Sequence, residues 1–425
     1  MDLIVLLVTF FFGLLIRLPV AFAIGLSSLI YLLAFLDIPL FIIPQRMAAS
    51  LDSFPVMAIP LYILVGKIMN SGGITNRIFK FAKAMVGHLV GGLAHVNVVC
   101  SMIFSGMSGA ALADAAGLGN VEIRAMVDEG FPKDFSAAVT AVTATIGPII
   151  PPSIAMVLYG SLAETSIGQL FVAGAIPGLL MGVGMMCLIA VISHKRNYPV
   201  SKKATIGEFM TSFKDALPSL FTVIIILGGI MGGIFTPTEA AGIAVIYGLI
   251  LSIIYKEFSI KTFWEVLIET AVITGSILFI FSTAAMFGWL ITLKQIPELI
   301  AIGLLTLTNN KIIILLLINV ILLIMGMFMD IMSILAIAVP IFVPLVSHLG
   351  VDTVHFGVIM VFNLMLGGLT PPFAMLIFVV CNIAKVSFRD TFRQVLPFYI
   401  PLIVVLLLIT LIPEVCLYLP TILMR

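Results

Sequence analysis

The stretches IGPIIPPSIAM (146–156) and LGGLTPPFAML (366–376) place the same helix-breaking residues at two points 220 residues apart. At this offset, six Gly or Pro residues of the first half meet the same residue type in the second half. The pairs are Gly106 with Gly326, Gly130 with Gly350, Gly147 with Gly367, Pro151 with Pro371, Pro152 with Pro372, and Pro177 with Pro397. Helix breakers at corresponding positions of two halves are typical of membrane transporters with discontinuous helices.

The composition is that of a membrane protein. Of 425 residues, 62% are hydrophobic and 10% are charged, and the mean hydropathy is +1.28. Because a soluble domain has about a quarter of its residues charged, we expect an all-α polytopic membrane protein. The net charge of +1 gives no indication of nucleic-acid binding. Four cysteines in apolar stretches, without metal-binding spacing, are interpreted as buried apolar side chains: Cys100, Cys187, Cys381 and Cys416.

Hydropathy predicts the membrane spans, because a helix needs about 20 apolar residues to cross the hydrocarbon core. The predicted spans are 2–36, 44–70, 135–160, 171–193, 216–235, 238–255, 266–293, 355–382 and 397–420. The apolar stretches 93–125 and 313–348 are interrupted in the middle, so each is predicted to be a re-entrant hairpin. The spans 135–160 and 355–382 contain the paired prolines and are predicted to be broken helices.

Basic residues predict the orientation, since short cytoplasmic loops collect Lys and Arg. Basic loops occur at 75–90, 194–203, 256–261 and 385–393, whereas the repeat partners of the first and last, near 295–310 and 165–173, have no Lys or Arg. The two halves therefore face opposite sides of the membrane, as an inverted repeat. With these loops inside, the N-terminus is predicted to be cytoplasmic and the C-terminus periplasmic.

The predicted domain organisation has four parts. Residues 1–36 form an N-terminal spanning helix, 37–203 the first inverted repeat, 204–257 an inserted helical pair, and 258–425 the second inverted repeat. Arg17 lies inside the first span without a nearby acid, and we interpret it as contacting a partner subunit or lipid headgroups. In TPTEAAG (236–242), Glu239 fits a capping box that starts the second inserted helix.

The candidate chemistry lies at the breaks. FSGMSGAALAD (104–114) turns the first hairpin and brings the Ser105 and Ser108 hydroxyls to an interrupted helix. Free carbonyls at two breaks suit a hard cation such as sodium, and half-helix N-termini suit an anionic substrate. We therefore expect two cation sites related by the repeat, with the substrate between them. Helix packing is the alternative reading of these small residues.

Two carboxylates are predicted to lie at membrane depth, where an ionisable group is a functional candidate. Asp330 is assigned to a cation site, whereas Asp114 is open to two readings, cation binding or capping of the second half-helix of its hairpin. The histidines form no chain across the bilayer, so sodium is preferred over protons as the coupling ion. HExxH, GxSxG and Walker motifs do not occur in the sequence, which argues against an enzyme.

Five segments together resemble the large membrane subunit of tripartite ATP-independent periplasmic (TRAP) transporters. They are FSGMSGAALADAAGLG (104–119), TATIGPIIPPSIAMVLYG (143–160), FTPTEAAG (235–242), GMFMD (326–330) and LGGLTPPFAML (366–376). The resemblance covers nearly the whole chain. It implies a sodium-coupled importer of organic acids with an elevator mechanism in the bacterial inner membrane. It also implies two protein partners, a small four-helix membrane subunit and a periplasmic substrate-binding protein.

The family's ion-site pattern carries over to ten positions of this sequence. Sodium site one is expected at Ser105, Ser108, Gly147, Ile150 and Pro152, and sodium site two at Gly326, Asp330, Gly367, Thr370 and Pro372. Substrate contacts are expected at Ser108, Ser153, Asn363, Thr370 and Pro371. The substrate classes implied are C4-dicarboxylates, sialic acids and other sugar acids.

Two other functions compete with this one. A stand-alone sodium/organic-anion symporter of similar architecture would need no periplasmic binding protein. A membrane scaffold, in which the Gly and Pro breaks only shape helix packing, would show no dependence on sodium. Uptake that requires both sodium and a binding protein separates the three.

Overall fold

The computed structural model describes residues 2–16, 18–257, 259–296, 298–300, 303, 308 and 310–424, so Arg17 lies outside the described residues. The described chain is helical, without strands. Its longer helices are α1 (Asp2–Leu15), α2 (Val20–Phe35), α3 (Ile42–Leu51), α4 (Ala58–Ser71), α5 (Ile74–Val86), α6 (Gly92–Ser108), α7 (Ala111–Asp128), α8 (Lys133–Thr143), α9 (Ile154–Leu162), α10 (Ile167–Arg196), α11 (Ile206–Met231), α12 (Pro237–Ile254), α13 (Ile260–Leu293), α14 (Lys311–Gly326), α15 (Ile331–His348), α16 (Thr353–Gly368), α17 (Met375–Ala384), α18 (Phe388–Val395), α19 (Tyr399–Leu411) and α20 (Glu414–Leu423). Short 3-10 turns occupy Phe54–Met57, Ala144–Ile146 and Leu396–Phe398.

The helix boundaries confirm the repeat. Helices α7 and α15 begin and end at positions that differ by the same 220 residues, and α8 and α16 begin at that offset too. Gly130 and Gly350 follow the two hairpins with φ of +95° and +68°, a region that glycine enters without a steric cost. The matching glycines therefore mark matching turns in the backbone.

Both hairpins and both broken helices are present where the sequence predicts them. The first hairpin is α6 and α7, interrupted at 109–110, and the second is α14 and α15, interrupted at 327–330. The first broken helix is α8 and α9, and the second is α16 and α17. The peptide bonds Pro151–Pro152 and Pro371–Pro372 are both cis.

The prediction of a single helix over 1–36 is wrong. The segment forms α1 and α2, and α2 begins directly after Pro19. A side chain at Gly13 would place its Cβ 3.1 Å from the Ala23 Cβ, so α2 folds back along α1. The sequence does mark this reversal, since Arg17 and Pro19 interrupt the apolar run between α1 and α2. The span predicted at 44–70 is also divided, into α3, a 3-10 turn and α4.

Ring contacts with α13 give the directions of α1 and α2. Phe22 packs edge-on against Phe279 with ring centroids 5.1 Å apart, and Phe10 packs against Phe287 at 5.9 Å. Phe10 of α1 therefore lies at the level of Phe287. Three residues later, Gly13 faces Ala23, whose neighbour Phe22 lies at the level of Phe279. Helix α1 thus runs from the level of residue 287 toward that of residue 279. Helix α1 is therefore antiparallel to α13. The first two helices form a hairpin against one side of it.

Between the two repeats the chain forms two helices, α11 and α12, that pack against each other. Both begin with capping boxes: the Thr205 and Thr236 hydroxyls accept from Glu208 N (3.2 Å) and Glu239 N (3.2 Å). Helix α12 also packs against α4, and α4 packs against α13. Helices α4, α11, α12 and α13 thus form a connected group of mostly unbroken helices, which we call the frame.

The hairpins and broken helices of the two halves interlock to form the core. Helix α17 of the second half packs against α7 and α8 of the first, while α9 packs against α15 and α16. Of the four cysteines, Cys100, Cys381 and Cys416 are buried as predicted, but Cys187 is exposed. Its helix, α10, is apolar around its whole circumference, so the sequence does not distinguish its outer face.

Seven helical segments of the described chain are long and apolar enough to cross a membrane. They are Phe54–Ser71, Ile167–Arg196, Ile206–Met231, Pro237–Ile254, Ile260–Leu293, Ile331–His348 and Phe388–Leu411. The predicted spans 135–160 and 355–382 do not appear in this set because their breaks divide each into shorter helices.

The contact between Gly326 and Gly367 yields a stability prediction. A Cβ on Gly326 would lie 2.8 Å from the Gly367 Cα, so we expect Gly326→Ala to separate the second hairpin from the second broken helix. Overpacking of this kind costs about 1–3 kcal/mol. Gly368→Ala is the matched control, because a Cβ there meets nothing within 4 Å. The melting temperature of the purified protein should fall for the first variant only. Equal melting temperatures for both variants would contradict the close packing.

Candidate functional site

A cavity of about 660 Å³ lies where the two hairpin tips meet the frame. Residues from both tips, both broken helices, α4 and α13 line it, and most of them are apolar. Its polar or charged lining residues are Lys67, Asn70, Ser108, Ser276 and Asp330. Ligand pockets of about 300–1,000 Å³ with few polar groups are typical of small-molecule sites. The cavity is the candidate substrate site.

Asp114 is the centre of the polar contacts at the first hairpin tip. It lies in the first turn of α7, where the Ser108 hydroxyl donates a hydrogen bond to its Oδ1. Its Oδ2 is buried and has no hydrogen-bond partner among the described residues. A Cβ at Gly147 would lie 2.5 Å from that oxygen, so the carboxylate reaches the first break only because glycine is there. Among the described residues, the Asp114 carboxylate makes no capping hydrogen bond with the α7 backbone.

The first hairpin tip and the first break are in direct backbone contact. Gly109 adopts φ +64°, and Ile154 N donates to its carbonyl at 3.3 Å. A Cβ on Gly109 would lie 2.5 Å from the Pro152 carbonyl oxygen. The structure thus brings together Ser108, Gly147 and Pro152 of the predicted sodium site one.

The other predicted polar residues of the first half donate their hydroxyl hydrogens locally. The Ser105 hydroxyl donates to Ser101 O (2.5 Å) within α6, and the Ser153 hydroxyl donates to Pro148 O (2.6 Å). Ser153 also caps α9 by accepting from Met156 N at 3.1 Å. Ile150 is half-buried, and its side chain lies against Gly178 of α10.

The second half has the same breaks but different polar contacts. Asp330 caps α15, where its carboxylate accepts from Ser333 N (3.0 Å) and from the Ser333 hydroxyl. Capping was the reading considered for Asp114, and the structure gives that role to Asp330. Phe373 N donates to the Met327 carbonyl at 3.0 Å, so the second tip is also bound to the second break.

The remaining predicted residues of the second break lie close together in the chain. Gly326 and Gly367 touch through their backbones. The Thr370 hydroxyl hydrogen-bonds Leu366 O and the Tyr399 hydroxyl, both at 2.9 Å. Pro371 is half-buried, and Pro372 is exposed.

The predicted substrate contacts only partly coincide with the cavity. Ser108 lines it, whereas Ser153, Asn363, Thr370 and Pro371 do not. Asn363 instead donates from Nδ2 to the carbonyl and side-chain oxygens of Asn319, each at 2.9 Å, and so joins α16 to α14. A sequence motif identifies a polar residue near a break, but it does not show which neighbouring groups form hydrogen bonds with that residue.

Two charged residues at or near the site were missed from the sequence. Lys67 lines the cavity from α4, and Glu122 on α7 is buried with both carboxylate oxygens unpartnered among the described residues. The sequence contains a signal for both residues, because each is a charged residue within a predicted membrane segment. Lys67 interrupts the predicted span 44–70, and Glu122 follows Asp114 along the second arm of the first hairpin.

The potential ligands at the first break are oxygen atoms. No group of three or more His, Cys, Asp or Glu side chains with metal-binding geometry occurs among the described residues. The donors near the first break are one carboxylate, one hydroxyl and backbone carbonyls, which are all oxygen ligands. Oxygen ligands are the preference of hard cations. The free Oδ2 of Asp114 fits such an ion.

Comparison with known proteins agrees with this architecture. The family model "Tripartite ATP-independent periplasmic transporter, DctM component" matches residues 7–415. The sialic acid TRAP transporter large permease protein SiaM of Vibrio cholerae is 43% identical over 403 residues, 95% of this chain and 94% of that protein. The C4-dicarboxylate TRAP transporter large permease protein DctM of Pseudomonas aeruginosa is 37% identical over 399 residues, covering 94% and 93%.

A solved structure shares the fold at low sequence identity. The YdaH transporter of Alcanivorax borkumensis superposes with a TM-score of 0.67 and 15% identity, over 88% of each chain. The relatives named above are permease subunits, and the match to the family model extends across both repeats. The chain therefore belongs to the DctM family, the large permease subunits of TRAP transporters.

Proposed function

We propose that this chain is the large membrane subunit of a sodium-coupled importer of organic acids. The observation that carries the proposal is the cavity at the two hairpin tips and the two helix breaks, near a buried carboxylate oxygen that has no partner among the described residues. Its partners are a small membrane subunit and a periplasmic substrate-binding protein, as the tripartite family name implies. The stand-alone symporter is not favoured, because relatives named as TRAP permeases match nearly the full chain.

A sugar acid of the sialic acid class is the leading substrate. The sialic acid permease SiaM is 43% identical to this chain, and the C4-dicarboxylate permease DctM of P. aeruginosa is 37% identical. A cavity of about 660 Å³ has room for an acid of either size. C4-dicarboxylates therefore belong in every test.

The electrostatics of the breaks support the proposed sodium coupling. Burying the Asp114 carboxylate without a compensating charge would be costly, and a bound cation provides that charge. The same cation favours an organic anion in the adjacent cavity, which Ser108 also lines. We assign the first sodium to Asp114, Ser108 and the backbone around Gly147, and the second to the backbone at Gly326 and Gly367.

An elevator mechanism is the motion that this arrangement supports. The hairpins and broken helices interlock with each other, and α4 and α13 of the frame line the cavity opposite the two tips. We propose that the interlocked body slides past the frame and carries the ions and the acid across the membrane. Gly106 lies on this boundary, facing Val223 of α11.

We propose a membrane orientation from the basic loops and from the direction of α1. In the bacterial inner membrane, α13 starts at the basic, cytoplasmic side near Lys261. Because α1 is antiparallel to α13, we now place the N-terminus in the periplasm, in contrast to the prediction from a single span. The C-terminus stays periplasmic, since Met424 lies against Gly168, at the opposite end of α10 from its basic residues.

The first test is uptake into proteoliposomes that contain this chain and its small subunit. The panel is N-acetylneuraminate, succinate, isethionate and 2,3-diketo-L-gulonate, each with its binding protein, with or without an inward sodium gradient. We expect uptake of one acid that requires both the gradient and the binding protein. Uptake without a binding protein would favour the stand-alone symporter, and sodium-independent uptake would contradict the coupling.

Asp114→Asn tests the first sodium site. Loss of the carboxylate charge should raise the sodium concentration for half-maximal uptake by about tenfold, since hydrogen bonds and ion contacts of charged groups contribute about 1.5–3 kcal/mol. Asp128→Asn is the control on the same helix, because Asp128 is exposed and has Arg124 at 4.0 Å. An unchanged sodium dependence in Asp114→Asn would remove Asp114 from the site.

A disulfide between positions 106 and 223 tests the elevator motion. A Cβ at Gly106 lies 3.5 Å from the Val223 Cβ, at the short end of the range that a disulfide spans. In a variant without the four native cysteines, we expect oxidation of G106C/V223C to stop uptake and reduction to restore it. The two single-cysteine variants control for the substitutions themselves. Full uptake by the cross-linked protein would exclude sliding at this boundary.

A further inference from the structure

An ion pair between two frame helices borders the cavity. Lys67 Nζ on α4 lies 2.5 Å from Glu269 Oε2 on α13. The Lys67 side chain is 27% exposed and lines the cavity, whereas Glu269 is 57% exposed and does not line it. The lysine therefore reaches both its carboxylate partner and the space where a ligand would lie.

The cavity wall has little else to attract an anion. Among the described residues that line it, Lys67 is the only one with a positive charge. Asp330 contributes the opposite charge, and the other polar groups are those of Asn70, Ser108 and Ser276. A carboxylate that enters a mostly apolar space loses hydration, which is costly without a cation nearby. An acid in this cavity needs Lys67, a bound sodium ion, or both.

We propose that Lys67 binds the carboxylate of the transported acid and that Glu269 holds the ammonium group while the cavity is empty. When the acid binds, its carboxylate replaces that of Glu269 as the partner of Lys67, so the ammonium group stays paired throughout. The inference rests on the proposed function for the class of ligand, an organic acid. It adds an anion-binding residue on the frame, outside both hairpins and both breaks.

The position of the pair indicates when it acts. Lys67 lies one turn before the end of α4 at Ser71, and the following helix, α5, carries Arg77, Lys80 and Lys83. These basic residues assign that end to the cytoplasmic side. Lys67 therefore contacts the acid at the cytoplasmic end of the cavity, as the acid is released.

Substituting each residue of the ion pair separately distinguishes a structural role from acid binding. If the pair only braces α4 against α13, Lys67→Gln and Glu269→Gln remove the same contact and should have the same effect. If Lys67 binds the acid, Lys67→Gln removes the ligand-binding charge, whereas Glu269→Gln removes its competitor. The two substitutions should then act in opposite directions on affinity for the acid.

Affinity is measured on the purified complex of large and small subunits in sodium, as the midpoint of acid-dependent thermal stabilisation. The probe is whichever of N-acetylneuraminate, succinate, isethionate or 2,3-diketo-L-gulonate stabilises the wild type. We expect Lys67→Gln to raise the midpoint about tenfold, Lys67→Arg to stay within a few-fold of wild type, and Glu269→Gln to fall below wild type. Lys261→Gln, which breaks an exposed pair with Glu265 on α13, should change nothing.

Several outcomes would overturn the proposal. They are a raised midpoint in both Lys67→Gln and Glu269→Gln, an unchanged midpoint in Lys67→Gln, or no stabilisation of the wild type by any acid in the panel. If Lys67→Gln does not fold, a Glu269→Gln midpoint above wild type decides against the proposal, and one below wild type decides for it. Sodium dependence is measured separately, by uptake into proteoliposomes. Sodium-independent uptake would refute the coupling and leave the comparison at Lys67 intact.

Discussion

In each half, a backbone N–H beyond the helix break donates to a carbonyl at the hairpin tip, from Ile154 to Gly109 at 3.3 Å and from Phe373 to Met327 at 3.0 Å. In hydrocarbon an unsatisfied backbone group costs several kcal/mol, so a broken helix survives at that depth only where protein or water satisfies it. Each hairpin tip provides a carbonyl acceptor for one backbone N–H of the neighbouring break. Tip and break therefore form one unit, and close approach by glycine is a condition for it. The cavity lies at these units because that is where polar backbone is present in the membrane.

The two units share a backbone plan but differ in their side chains. In the first, Asp114 and Ser108 bring a carboxylate and a hydroxyl to the break, and Gly147 leaves space for the carboxylate. In the second, Gly326 and Gly367 touch directly, and the nearby carboxylate of Asp330 is engaged in capping α15. A cation at the first break would therefore meet a free carboxylate oxygen, whereas one at the second would rely mainly on neutral oxygens. The repeat thus places similar breaks in both halves but surrounds them with different side chains.

The sequence predicts the parts of the fold that depend on breakers and fails where the outcome depends on packing. Glycine and proline act through the backbone itself, so their matching positions identified both hairpins and both broken helices. The reversal between α1 and α2 was missed although Arg17 and Pro19 interrupt the apolar run at that point, because hydropathy alone was used to set the span. The capping role went to Asp330 rather than Asp114 because a cap depends on where the helix begins, and α15 begins directly after Asp330. Asn363 looked like a ligand residue, but its partner Asn319 lies 44 residues away in the chain.

Charge balance connects the site to the proposed motion. A body that moves through the membrane with an unpaired charge meets a large desolvation cost, and pairing with opposite charge reduces it. Asp114 and Glu122 are buried in the interlocked body, whereas Lys67 and Glu269 are on the frame. In the proposed mechanism the moving body has carboxylates, and its described residues contribute no Lys or Arg to the cavity lining, so sodium would accompany the acid. On the frame, Lys67 always has a carboxylate partner, either Glu269 or the acid. This division of charges explains how one cavity can attract an anion, carry it with cations and release it on the other side.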